Sequence, residues 1–273
     1  MPNESEFIEK WLDEKSPATK RIYRTVIDKL TNFCGKPLLE ITSNDLYRFK
    51  MSLDDLGNNS VRLHVHTIKS VFTFGVDDGY FSVNHAEHLK VPKAPMRFDD
   101  HMLTEQEVST IIAHTKTKRD ALFIRLLYST GMRVAEICSL KWRSFKAGSE
   151  NCAATFVGKG DKKRTVYFAL TLWAEIQALG NVQPDNPVFR SRKNGHLDPS
   201  QAWRIVRAAA AKAGIPGNVS PHWFRHSHAS HALLNGASLL EVRDTLGHAN
   251  ISITDRYLHS QPGKSSGQYL KIN

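Results

Sequence analysis

The residues able to do chemistry fall into four short runs between positions 130 and 259. In TGMRVAEICSLKW, from Thr130 to Trp142, Arg133 follows a glycine that breaks one helix and stands where the next begins. An arginine there can point into a cleft with Glu136 orienting it; the plain alternative is a surface ion pair of the same two residues at i, i+3. In VGKGDKKRTVYF, from Val157 to Phe168, Lys159 lies between two glycines, which let backbone approach a ligand closely. The alternative is an ordinary hairpin with Lys162, Lys163 and Arg164 as solvated charges. In SPHWFRHSHASHALL, from Ser220 to Leu234, His222 and Arg225 stand one turn apart at the N-terminal end of a helix, where phosphate is attracted. His222 and His226 also have the i, i+4 spacing of zinc ligands. The run has no glutamate of the H-E-x-x-H type and no convincing third ligand, so a metal is not expected here. His226, His228 and His231 read as packing or supporting residues. In LGHANISITDRYLH, from Leu246 to His259, His248 follows a glycine stop and Tyr257 comes nine residues later. A tyrosine in a helix is ordinarily core, and each run taken alone has a structural explanation.

The elements that must position these residues divide at Leu89 to Asp100 (LKVPKAPMRFDD), which has two prolines and no amphipathic period and reads as an extended linker. Before it, Ser16-Pro17 predicts the start of a helix over about 17–33, with Ile22, Val26, Ile27, Leu30 and Phe33 at helical spacing. Thr42 with Asp45 opens a second helix, and Asn59-Ser60 a third that runs through Val61, Ile68, Val71 and Phe72 until Gly79 stops it. This is a small helical bundle. After the linker, Thr104 and Glu107 form a capping box, and Ala121 to Tyr128 is an apolar helix ending near Gly131. Ala153–Val157 and Thr165–Phe168 predict a hairpin with a basic tip, Val188-Phe189 a further short strand, and helices return from Ser200. Ser220-Pro221 caps one that ends near Gly236, and Ser238 with Glu241 caps another before Gly247. The fold class expected is mainly α with a small β-sheet: a helical N-terminal domain and an α+β second domain.

Composition narrows the class. Hydrophobic residues at 41% and charged residues at 23% fit a globular chain, and no apolar run reaches the roughly 18 residues of a membrane-spanning helix. The polar, acidic start MPNESEFIEK is no signal peptide, so a cytoplasmic protein without a membrane partner is expected. Cys34, Cys138 and Cys152 are too few and too scattered for a disulfide framework or a thiolate zinc site. The net charge of +10 is lopsided: residues 1–100 carry 14 basic and 15 acidic side chains, residues 101–273 carry 23 and 12. A field of that kind points to a polyanionic partner, of which nucleic acid is the commonest.

Taken in order within one basic domain, Arg133, Lys159, His222-x-x-Arg225, His248 and Tyr257 resemble the catalytic set of the tyrosine recombinases, the phage integrase family. The segments TGMRVAEICSL, GKGDKKR, HWFRHSHASHALL and LGHANISITDRY follow that family's patterns over residues 103–273, and residues 5–93 resemble its helical, SAM-like core-binding domain. The departures are Trp223-Phe224 inside His-x-x-Arg and Ile253 where many members have threonine; neither removes a reacting group. The resemblance implies a core-binding domain at 1–93, a linker at 94–102 and a catalytic domain at 103–273, with no additional N-terminal arm-binding domain. It is the simple two-domain type, similar to the Xer-like recombinases.

The resemblance also implies the chemistry. Tyr257 attacks a DNA phosphate to give a 3′-phosphotyrosyl link and a free 5′-hydroxyl. Arg133, Arg225 and His248 hold the nonbridging oxygens, Lys159 protonates the leaving oxygen, and His222 helps move the proton from Tyr257. Tyr128, Tyr167 and Tyr269 are not expected to substitute. The partners implied are double-stranded DNA, a homotetramer on paired recombination sites and accessory DNA-bending proteins, in integration, excision or resolution. Two other readings share these residues: a type IB topoisomerase, which relaxes DNA as a monomer, and a DNA-binding protein on the same fold that does not cut.

Overall fold

The computed structural model describes residues 3–93, 102–158 and 163–247. The chain divides into two compact units, Met1–Arg97 and Phe98–Asn273. The linker expected at 94–102 lies, up to Met102, outside the described residues.

The first unit is built from helices α1 (Glu4–Leu12), α2 (Pro17–Cys34), α3 (Ser43–Met51) and α4 (Asn58–Asp77). Ser16 caps α2 and accepts from the Thr19 N–H at 3.3 Å, Pro17 takes the first turn, and Gly35 at φ +66° ends the helix. The predicted capping box of Thr42 and Asp45 is present on α3. Two expectations need correction here. Helix α4 starts one residue earlier than its signal, with Gly57 as cap, so Asn59 and Ser60 lie in its first turn. In α2, Val26, Ile27 and Leu30 are buried, but Ile22 and Phe33, at the flanks of the same stripe, are exposed. Helix α1, not foreseen from the sequence, starts at the Asn3 cap, whose side chain accepts from the Ser5 N–H, and buries Phe7, Trp11 and Leu12.

Phe7 stacks on Tyr80 with ring centroids 4.0 Å apart and meets Phe81 edge-on at 5.5 Å, while Phe72 stacks on Phe81 at 4.7 Å. Gly75 leaves the room for this cluster, because a Cβ there would overlap the Phe81 ring and come within 3.0 Å of Phe7. The start of the expected linker belongs to this unit. Lys69 Nζ donates to the carbonyls of Ala86 at 3.0 Å and Glu87 at 2.5 Å, Arg62 donates to the Pro92 carbonyl, and Leu89 and Val91 pack on the core.

The second unit contains α5 (Glu105–Ala113), α6 (Lys118–Thr130), α7 (Val134–Cys138), strands β1 (Phe145–Ala147), β2 (Asn151–Val157) and β3 (Lys163–Ala169), then α8 (Leu170–Gln177), α9 (Pro199–Lys212), α10 (Pro221–Leu234) and α11 (Leu239–Leu246). The capping boxes at Thr104/Glu107 and Ser238/Glu241 form as expected, and Gly131 and Gly247 end α6 and α11 in the left-handed region, at φ +59° and +63°. Helix α9 is capped by Asp198, whose carboxylate accepts from the Ser200 N–H at 2.8 Å, so Ser200 lies inside it.

The sheet is antiparallel in the order β1-β2-β3, and Thr155 pairs with Thr165 and Val157 with Lys163. Alternation turns Cys152, Ala154 and Phe156 of β2 and Val166 and Phe168 of β3 into the core. The third strand is Phe145–Ala147, where Phe145 stacks on Trp173 at 4.8 Å; Val188-Phe189 is not a strand. Lys141 and Pro187 make an isolated bridge there and the Val188 N–H reaches the Leu140 carbonyl at 3.1 Å. Pro187 has no N–H to extend the ladder.

Gly75→Ala is expected to cost about 1–3 kcal/mol, the range for overpacking a filled core, read as a lower denaturant midpoint.

Candidate active site

Arg133 is the cap of α7, two residues past the left-handed Gly131. Its backbone N–H donates to Glu136 Oε2 at 2.7 Å and its guanidinium to Glu136 Oε1 at 3.0 Å. The pair foreseen at i, i+3 therefore forms, but not as a surface pair: Glu136 is only 6% exposed. Its second cation is Arg164 of β3, whose Nη2 donates to Glu136 Oε2 at 2.8 Å. The expectation that Arg164 is a solvated hairpin charge is overturned, since its side chain is 13% exposed and lies with its Cζ 4.9 Å from the Phe156 ring centroid. Burial lowers the pKa of Arg164 most, and the Glu136 carboxylate opposes it.

Helix α10 carries the His-x-x-Arg pair, with Pro221 in its first turn. Arg225 is 4% exposed, and its two terminal nitrogens donate to the carbonyls of Gly131 at 2.6 Å and Leu246 at 2.7 Å. Those carbonyls lie at the C-terminal ends of α6 and α11, where the helix dipole favours a cation. Arg164 Nη1 donates to the same Leu246 oxygen. His222, one turn before Arg225, is exposed. The protein packed about its ring lowers its pKa first, and the charges of Arg225 and Arg133 lower it further.

The other histidines of α10 have different settings. His228 Nδ1 donates to the Tyr128 carbonyl at 2.8 Å, and its ring lies where a Cβ on Gly131 would come within 2.6 Å, so both the φ and the space at residue 131 call for glycine. Burial pushes its pKa down to about 4. His231 Nδ1 is 2.8 Å from the Tyr128 hydroxyl, whose own pKa is raised by burial. The expected packing role thus fits both. His222 and His226 have ring centroids 6.2 Å apart, and among the described residues no three His, Cys, Asp or Glu side chains are grouped to hold a metal.

The structure places Arg133 two residues past Gly131, whose carbonyl accepts from Arg225, and His222 one turn before Arg225 on α10. Lys159, His248 and Tyr257 lie outside the described residues, as does Tyr269. Arg164 is the residue that reasoning from sequence missed. Its signal was parity: it shares the inward face of β3 with Val166 and Phe168, while Thr165 and Tyr167 face out.

Comparison with known proteins adds the family context. Residues 101–264 match the model of the phage integrase family, and residues 5–91 that of the phage integrase SAM-like domain. The tyrosine recombinase XerA of Pyrococcus horikoshii is 33% identical over 258 residues, covering 90% of this chain and 84% of that protein. Among solved structures, the XerH site-specific recombinase bound to its difH substrate aligns with a TM-score of 0.75 at 19% identity, covering 94% of this chain and 82% of that one. A lambda integrase tetramer bound to a Holliday junction aligns with a TM-score of 0.76 at 17% identity, covering 91% and 78%. These two show the shared fold.

The His228 pKa gives a test of the site's interior. Its folded value near 4 lies below the ordinary 6.5, so between those values the unfolded chain binds a proton that the folded one does not. Stability is expected to fall as pH drops through that window, by up to about 2–3 kcal/mol. His228→Asn, which keeps a donor for the Tyr128 carbonyl but does not titrate, should flatten that slope in equilibrium unfolding measured across the pH range.

Proposed function

We propose, on the premise that the chain belongs to the phage integrase family and is a tyrosine-type site-specific DNA recombinase, that Tyr257 is its nucleophile and that Arg133, Lys159, His222, Arg225 and His248 serve the reaction. The observation that carries the reading is the fixing of two guanidiniums, Arg133 by Glu136 and Arg225 by two helix-end carbonyls, with His222 one helical turn before Arg225.

The phenol oxygen of Tyr257 attacks the scissile phosphorus as its proton leaves toward His222. Charge then builds on the nonbridging oxygens, where guanidiniums, always charged and planar, give paired donors. The bond from phosphorus to the 5′-oxygen breaks, and Lys159, placed by sequence in the connection between β2 and β3, supplies the proton for that oxygen. The phosphotyrosyl ester keeps the bond energy, so rejoining needs no nucleotide cofactor.

The partner is duplex DNA, taken up by a core-binding domain at 1–93 and a catalytic domain at 103–273 and worked on by paired protomers as a tetramer. Relatives bound to difH and to a Holliday junction support that reading, as does the positive excess beyond residue 100. Its place of work is then the compartment that holds the DNA, the cytoplasm expected from the sequence.

Tyr257→Phe is expected to abolish covalent protein–DNA adducts while leaving duplex affinity within about threefold, since only the attacking oxygen is lost. Adducts surviving in that variant would assign the nucleophile elsewhere, and sequencing DNA trapped on the wild-type protein identifies the cleavage site. Lys159→Ala should slow cleavage of a normal phosphodiester far more than of a 5′-bridging phosphorothiolate, whose sulfur leaves without protonation. Equal slowing on both substrates would make Lys159 a phosphate contact instead.

A further inference from the structure

We propose that Arg164 is a positioning residue for strand cleavage, clamping the end of α11 to the Glu136–Arg133 pair. The proposal rests on the recombinase reading of this site. Arg164 enters from the inward face of β3 and spans two elements far from it in sequence: Nη2 donates to Glu136 Oε2 at 2.8 Å, and Nη1 to the Leu246 carbonyl, 82 positions along the chain. Arg225 Nη2 donates to that same oxygen at 2.7 Å, so the last carbonyl of α11 is held by two guanidiniums.

The backbone is fitted to this clamp. Gly247 turns at φ +63°, and a Cβ on it would collide with the Arg164 guanidinium, 3.0 Å from Cζ and 3.1 Å from Cδ. His248 is the next residue. Withdrawing a guanidinium from water is costly, and an apolar side chain would fill an inward strand position at less cost. What an apolar side chain cannot do is join a carboxylate to a carbonyl. A lysine keeps the charge, but its single compact ammonium lacks the rigid fork that reaches both acceptors. Arg164 therefore acts through other groups: through Glu136 it fixes Arg133, and through the Leu246 carbonyl it fixes the end of α11, the acceptor it shares with Arg225.

The test uses the full chain and a nicked duplex carrying the site recovered from wild-type adducts. A wild-type protein that forms no adduct on any duplex overturns the recombinase reading, and this proposal with it. With wild-type cleavage established, Arg164→Met and Arg164→Lys are expected to cleave about 10²-fold more slowly at saturating protein, the scale of misplacing reacting groups by about 1 Å. Duplex affinity should stay within about threefold, which separates a loss in the reacting state from a loss of binding. The same slowing is expected on the 5′-bridging phosphorothiolate, because Arg164 gives no proton. Gly247→Ala, which leaves Arg164 in place but pushes its guanidinium aside, should slow cleavage in the same way. Wild-type rates in Arg164→Met with only a lower melting temperature would overturn the proposal, as would full rescue by lysine or recovery on the sulfur substrate. Should Arg164→Met fail to fold, Arg164→Lys and Gly247→Ala decide the matter.

Discussion

Glu136 is a buried carboxylate with a cation on each oxygen, and the second unit is arranged so that both cations can reach it. A carboxylate taken out of water and left unpaired would cost several kcal/mol, so the elements carrying its partners are not free to drift. Arg133 comes from the first residue before α7, and Arg164 comes from the inward face of β3. One carboxylate thereby ties a helix start to the sheet. Its Oε2 also accepts from the Arg133 backbone N–H, so the same carboxylate caps α7 and orients the guanidinium that precedes it.

Two helix ends provide the complementary half of the arrangement. Helices α6 and α11 both close on a left-handed glycine, and each leaves a carbonyl directed at Arg225. A cation between two negative helix ends is set in orientation before any ligand arrives, which is what electrostatic preorganisation requires. Gly131 has a further duty, because the ring of His228 occupies the space that a side chain there would need. The histidines of α10 thus divide by position along one helix. His222 stands exposed under the influence of two arginines, and His228 is held neutral inside the unit.

Much of this was legible locally. Capping residues at Ser16, Thr42, Thr104 and Ser238 and the stops at Gly131 and Gly247 act over three or four residues, so they mark the same helix ends in the sequence and in the fold. Signals that reach no farther than the chain's own neighbours failed where packing decided. The third strand is Phe145–Ala147, paired with β2, whereas Pro187 makes only an isolated bridge with Lys141 and Val188-Phe189 adds no strand.

The sequence by itself determined the family, the order of the six candidate catalytic residues and the helix that carries His222 and Arg225, because each rests on residue type and short spacing. Only the tertiary structure decided that Glu136 is buried, that Arg164 belongs beside it, and that Arg164 and Arg225 share the Leu246 carbonyl. Those contacts join residues 28, 82 and 21 positions apart. An arginine's charge looks the same in a sequence whether water or a carboxylate surrounds it; the sheet that turns Arg164 inward supplies the difference, and sheet pairing is a property of the folded chain.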